Sequence, residues 1–191
     1  MTDEESRIMK VSGGGFDQCY NAQAGVDAHT MLVVATGLTQ APNDKQQVIP
    51  MIKTLQDQAA RLGSVTTLIA DTGFGSEGNV NACSQAGIEP LIAQARQVHH
   101  PHWRERFAEP APLQADATAM QAMAHRLATK AGRAAYALRK QTVEPVFGII
   151  KSVMGFRQFS LRGLRKVTGE WNLVCLAWNV KRMAVLRPEL G

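Results

Sequence analysis

Two carboxylates stand out by their settings. Asp71 ends the apolar run Thr67-Leu68-Ile69-Ala70 and is followed by Thr72-Gly73-Phe74-Gly75-Ser76-Glu77. Glu144 lies in Thr142-Val143-Glu144-Pro145-Val146-Phe147-Gly148-Ile149-Ile150-Lys151, with Tyr136, Arg139 and Lys140 just upstream. Two acids from distant segments, one flanked by basic residues, suit a hard divalent cation and phosphate chemistry. Taken alone, the Glu144 helix reads better as a capping glutamate with a surface lysine.

The charge distribution supports the phosphate reading. Net charge is +5, but Arg126 to Arg187 holds thirteen Lys/Arg and only two acids, Glu144 and Glu170. A cationic C-terminal third points to a polyanionic partner, most often nucleic acid. The plainer alternative is a solvated basic face. No stretch approaches the roughly 20 apolar residues of a membrane span, and the acidic start Met1-Thr2-Asp3-Glu4-Glu5-Ser6 is not a secretory signal. Cys19, Cys83 and Cys175 are odd in number and widely spaced. They imply a reducing cytoplasm rather than a disulfide framework or a Cys-based zinc site.

The elements that must position the two acids can be read from the pattern. Residues 1–18 are polar and Gly-rich and are expected to form a flexible arm. Tyr20 to Asp27 alternates, with Ala22, Ala24 and Val26 on one face, and Met31 to Thr36 is a second strand. His29-Thr30 turns between them, which predicts an antiparallel hairpin. Asn43 or Asp44 is expected to cap a helix over about 45–61, with Pro50 marking its true start or a kink. Strand 65–70, helix 77–86 and strand 88–93 form a crossover unit, so those two strands should be parallel. Residues 94–112 read as a loop or insertion. Its His99, His100 and His102 make a zinc site conceivable, but no Cys or acid completes the set, and a solvated loop touching nucleic acid is the favoured reading. Helices follow at about 114–130, 132–141, 143–154 and 164–186. Because Pro145 disfavours helical geometry at Glu144, that residue is expected at or just before a helix start, with Lys151 two turns on. Val146, Ile149, Ile150 and Val153 would then pack on the sheet, and Leu173, Leu176, Val180 and Ala184 recur at helical spacing.

A family resemblance ties these pieces together. Tyr20-Asn21-Ala22-Gln23-Ala24, Val26-Asp27-Ala28, Thr39-Gln40-Ala41-Pro42-Asn43-Asp44, Ala70-Asp71-Thr72-Gly73-Phe74 and Thr142-Val143-Glu144-Pro145-Val146-Phe147-Gly148 occur in that order. Together they resemble the C-terminal portion of bacterial insertion-sequence DDE transposases, whose catalytic core is RNase H-like. The tail from Gly155-Phe156-Arg157 through Leu161-Arg162-Gly163 to Gly169-Glu170-Trp171-Asn172-Leu173 is similar too.

The resemblance implies an α/β fold: an RNase H-like mixed sheet flanked by helices, spanning 19–191, with a helical C-terminal third. It implies that Asp71 is the second catalytic aspartate and Glu144 the catalytic glutamate, both metal ligands, converging within roughly 10 Å. Tyr136, Arg139, Glu144 and Lys151 resemble the family's Tyr, Arg, Glu, Lys signature. The Arg-to-Glu gap is one residue longer than in the family's commonest form, and Lys140 would fit the shorter gap. Arg133, Arg139, Lys140, Arg157 and Arg162 are then the DNA-binding cations, with Lys151 at the catalytic centre and Tyr136 either stacking on a base or in the core. Two Mg²⁺ ions are expected in the full-length enzyme, with transposon ends and target DNA as partners. The strand bearing the family's first catalytic aspartate has no counterpart here, and Asp27 resembles a position on the next strand. The chain is therefore expected to be a truncated catalytic domain that nicks DNA weakly or not at all, with an open sheet edge prone to self-association. The rival expectation is a non-catalytic DNA-binding remnant.

Overall fold

In the computed structural model, which describes residues 3–11, 13–94 and 108–187, four strands come first: β1 (Arg7–Lys10), β2 (Phe16–Cys19), β3 (Asn21–Val26) and β4 (Val33–Thr39). Next come α1 (Val48–Asp57), α2 (Ala59–Leu62), β5 (Thr67–Ala70), a 3-10 turn (Thr72–Phe74), α3 (Glu77–Gln85) and β6 (Glu89–Ile92). Three helices close the order, α4 (Ala119–Ala128), α5 (Lys130–Ser152) and α6 (Leu164–Leu186). The chain divides into two units, one of Met1–Asp44 with Lys140–Gly191, the other Lys45–Arg139. This is a mixed α/β architecture. The mixed sheet implied by the resemblance is not among the pairings, however: the described strands form three two-stranded sheets, β1–β2, β3–β4 and β5–β6.

The first unit is built on the β3–β4 hairpin. The alternation of Ala22, Ala24 and Val26 predicts it, and the strands pair antiparallel with Asn21 opposite Thr39 and Ala24 opposite Thr36. Asp27 shapes the turn, its carboxylate accepting from the Thr30 N–H at 2.7 Å and the Thr30 hydroxyl at 2.6 Å. The apolar face of the hairpin meets Val146 and Ile150 of α5 and Trp171, Cys175 and Trp178 of α6. Polar tips fix the docking. Trp171 Nε1 donates to the Gln23 carbonyl and Trp178 Nε1 to the Met31 carbonyl, each at 2.9 Å. The Asn179 side-chain amide accepts from the Val33 N–H and donates to its carbonyl, each at 2.8 Å, as a neighbouring strand would.

The arm expected over residues 1–18 contains paired strands: β1 and β2 join antiparallel through a Gly-rich turn, with Met9 buried. The face of α6 is inverted. Leu173, Leu176 and Val180 are exposed, while Val167, Trp171, Cys175 and Trp178 are inside. Both stripes have helical spacing, and the tryptophans win because their N–H groups match free carbonyls of the hairpin. In α5, Glu144 is not at a helix start but in the middle of a 23-residue helix that passes through Pro145. A proline there removes one helical donor and costs about 3 kcal/mol. Burial of Val146 and Ile150, one turn apart and almost fully enclosed, offsets it, while Val153 stays exposed.

The second unit holds the predicted crossover. β5 and β6 are parallel, Thr67 opposite Glu89 and Ala70 opposite Ile92, and α3 joins them. Ser76 caps α3 by accepting from the Asn79 N–H. Two clusters form the core. One gathers Val48, Ile52, Cys83 and Ile88, the other Ala70, Val80, Ile92 and Met123. The helix expected over 45–61 is two helices, α1 and α2, and its N-cap is Gln47, whose side chain makes no capping bond. Asp44, the expected cap, instead accepts from the side-chain amides of Asn21 and Gln23, at 2.7 Å each. Gly132 does not end a helix. It lies in the first turn of α5, where a Cβ would sit 1.9 Å from the Arg126 carbonyl oxygen, so it permits the tight α4–α5 junction. No described helix is long and apolar enough to cross a membrane.

Acid should find the hairpin turn. Burial pushes the Asp27 carboxyl up, but the Thr30 hydroxyl, the Thr30 and His29 N–H groups and the nearby His29 charge pull it further down, to a net value below the ordinary 3.8. A depressed carboxyl contributes stability above its unfolded value and loses it as pH falls through the folded value. The urea midpoint should therefore fall as pH drops from about 4 downward. In Asp27→Asn that decline should be smaller, because the neutral side chain has no such proton to gain.

Candidate functional site

Asp71 is delivered by β5. Ala70 points into the core, and the chain leaves the strand in extended geometry at Asp71. Its Oδ1 accepts from the Gly73 N–H at 2.9 Å, which caps the 3-10 turn and fixes the carboxylate. Oδ2 lies 3.8 Å from Nη1 of Arg139, the Asp71 side chain 46% exposed and the Arg139 side chain 22%. At that distance and exposure the ion pair is worth about 1 kcal/mol or less. Arg139 also sits 5.9 Å from the Tyr136 ring centroid, within cation–π range. The Tyr136–Arg139 spacing of three is the one sequence signal for that contact. The pairing of Arg139 with Asp71, 68 residues away in sequence, had no such signal.

Arg133 serves the fold of the second unit. It is half-buried, and its guanidinium donates to the carbonyls of Ala128 and, at 3.2 Å, Ala108. Of the six expected DNA-binding or catalytic cations, Arg133 and Arg139 are thus half-buried, and Lys140, Lys151, Arg157 and Arg162 are exposed.

Glu144 belongs to the first unit and is exposed on α5. Lys140, Glu144 and Lys151 are spaced four and seven apart, which places them within about 40° of one another around the helix. Lys151 Nζ lies 5.9 Å from the centroid of Phe147, whose ring stacks on Trp171. An acid and two ammonium groups thus share one solvent-facing stripe, backed by the core.

The donor chemistry can be weighed at each acid. Asp71 Oδ1 spends one lone pair on Gly73 and keeps another, and Asp71 is accessible. Glu144 is accessible too. Carboxylate oxygens with room for water fit a hard divalent ion. Among the described residues no three His, Cys, Asp or Glu gather into a cluster. His99, His100 and His102 lie outside the described residues.

A family model described as a transposase DDE domain matches residues 105–184. Over that stretch the chain is similar to a transposase DDE domain. The matched stretch contains α4, all of α5 with Glu144 and Lys151, and α6 to within its last turn. Asp71 lies outside it. No curated protein and no solved structure matches the chain.

Proposed function

We propose that this chain acts in transposition of a bacterial insertion sequence, as part of a cytoplasmic, metal-dependent enzyme that cuts and joins transposon-end DNA. Asp71 and Glu144 are its metal-binding carboxylates, Mg²⁺ its ion, and Lys140, Lys151, Arg157 and Arg162 its phosphate contacts. The observation that carries the reading is the setting of Asp71. It is a carboxylate fixed at a strand tip by Gly73, open to solvent, with an arginine 3.8 Å away. What a divalent ion supplies in such chemistry is activation of the attacking oxygen and stabilisation of the leaving one. The chain's own residues do the rest. Gly73 orients the Asp71 oxygens, Arg139 balances their charge, and Lys140 and Lys151 present cations beside Glu144 for backbone phosphates.

One observation favours a second reading. The charged group that pairs with Asp71 is a cation, where a metal site would gather acids. On that reading the chain binds DNA without cleaving it. A Mg²⁺ titration of single-turnover nicking on a supercoiled plasmid separates the two. Slow nicking that rises with Mg²⁺ and vanishes with EDTA is expected. DNA binding with a flat metal response would establish the second reading.

A further inference from the structure

Four backbone N–H groups between Ser160 and Leu164 point at carboxylates. Ser160 donates to Glu170 Oε1 at 2.8 Å and Oε2 at 3.1 Å, and Leu161 to Oε2 at 2.9 Å. Gly163 donates to Asp3 Oδ2 at 3.0 Å, and Leu164 to Glu5 Oε2 at 2.6 Å. Asp3 is itself tied to the fold, since the Tyr20 hydroxyl donates to the same oxygen at 2.8 Å. Gly163 has φ of 83°, and a Cβ there would stand 2.9 Å from the Glu5 carboxylate. Only glycine leaves that approach open.

The segment so held is basic. Arg157, Arg162, Arg165 and Lys166 are exposed on it. Between them Phe156 and Phe159 pack edge to face at 5.3 Å, and Phe156 lies 6.4 Å from Trp171 in the core. The rings anchor the segment from below and the carboxylates clamp its backbone. Acids are nearly absent from this third of the chain, and beside a phosphate backbone they repel. Glu170 from this third, with Asp3 and Glu5 from the N-terminus, is spent on one short segment, and three acids there call for a purpose other than charge.

We propose that Asp3, Glu5 and Glu170 are positioning residues. They hold residues 157–166 in one conformation so that Arg157, Arg162, Arg165 and Lys166 meet the phosphates of a DNA duplex without first being ordered by it. Prearranged cations bind more tightly than the same cations on a loose loop, because the ordering cost is met on folding. This rests on the DNA reading above.

The test turns on a sign. Glu170→Gln raises the net charge by one, and Asp3→Asn/Glu5→Gln by two, so charge alone predicts tighter binding. Positioning predicts weaker binding. The probe is a fluorescein-labelled 30-base-pair duplex, followed by anisotropy over a salt series. We expect both variants to bind about 3–10-fold more weakly, with a log–log salt slope shallower by about 1–2, one phosphate contact being worth about 0.9. Glu4→Gln, an exposed acid whose side chain takes no part in the clamp, is the charge control and should bind as tightly as the parent or slightly more so. Arg162→Ala should cost less in the Glu170→Gln background than alone, a coupling that general destabilisation would not produce. Should Glu170→Gln fail to fold by thermal melting, the Asp3/Glu5 variant carries the same sign test from the other end of the segment. Tightening that matches the Glu4 control, or strict additivity with Arg162→Ala, overturns the positioning role and leaves the DNA reading intact. Absence of duplex binding by every form overturns both.

Discussion

Replacing Trp171 with alanine is expected to remove about 3–5 kcal/mol of stability, the cost of deleting a large aromatic from a packed interior. Trp171 is 2% exposed. Its ring stacks on Phe147 of α5 at 5.7 Å and 23°, and its Nε1 donates to the Gln23 carbonyl of β3 at 2.9 Å. One side chain therefore joins α5, α6 and the hairpin. Truncation opens a cavity among all three and leaves a buried carbonyl without its donor, a further destabilising term. Trp171→Phe keeps most of the ring and loses only the N–H, so about 1–2 kcal/mol should go. Urea unfolding followed by far-UV circular dichroism measures both. A loss below 1 kcal/mol for the alanine variant would mean that α6 does not dock on the hairpin as described.

The second large effect concerns the acids. Asp71→Asn should weaken Mn²⁺ binding by at least about tenfold and reduce any Mg²⁺-dependent nicking to background, because one anionic oxygen becomes an amide that no longer attracts a hard cation. Glu144→Gln should likewise abolish nicking. Asp27→Asn should leave both readings unchanged, since the Asp27 carboxylate is committed to Thr30. Isothermal titration with Mn²⁺ and single-turnover nicking check the three variants side by side. Unaltered Mn²⁺ affinity in Asp71→Asn would remove Asp71 from the metal site. Nicking abolished by Asp27→Asn would show that Asp27 supplies a catalytic carboxylate.

What was legible in the sequence, and what was not, follows from the range of the forces involved. The β3–β4 hairpin and the β5–α3–β6 crossover were readable because alternation, turn residues and the Ser76 cap are local signals. Asp71 was readable for the same reason, as an acid at the end of an apolar run. The inverted face of α6 was not. That helix carries apolar residues on two sides, and only the carbonyls of Gln23 and Met31, about 150 residues upstream, select the tryptophan side. The continuity of α5 through Pro145 was hidden because a local rule forbids it, and the compensating burial of Val146 and Ile150 is tertiary. The contact of Arg139 with Asp71 depends on the fold and has no local signal. The carboxylate clamp on Ser160–Leu164 escaped notice altogether. Asp3 and Glu5 read as a polar arm, and nothing in their spacing announces backbone partners some 160 residues away.

The two buried cysteines turn the division of the chain into something a chemist can time. Cys83 sits in the core of one unit and Cys175 in the core of the other, both almost fully enclosed. Burial pushes the Cys83 thiol up to about 11 and the Cys175 thiol to about 12. At pH 8 almost none of either is thiolate, the only form an alkylating reagent attacks. Each thiol becomes reactive when its own surroundings open. The alkylation half-life of Cys83 therefore clocks the opening of one core and that of Cys175 the other. Mass spectrometry of the two tryptic peptides would read both clocks from one unmutated sample.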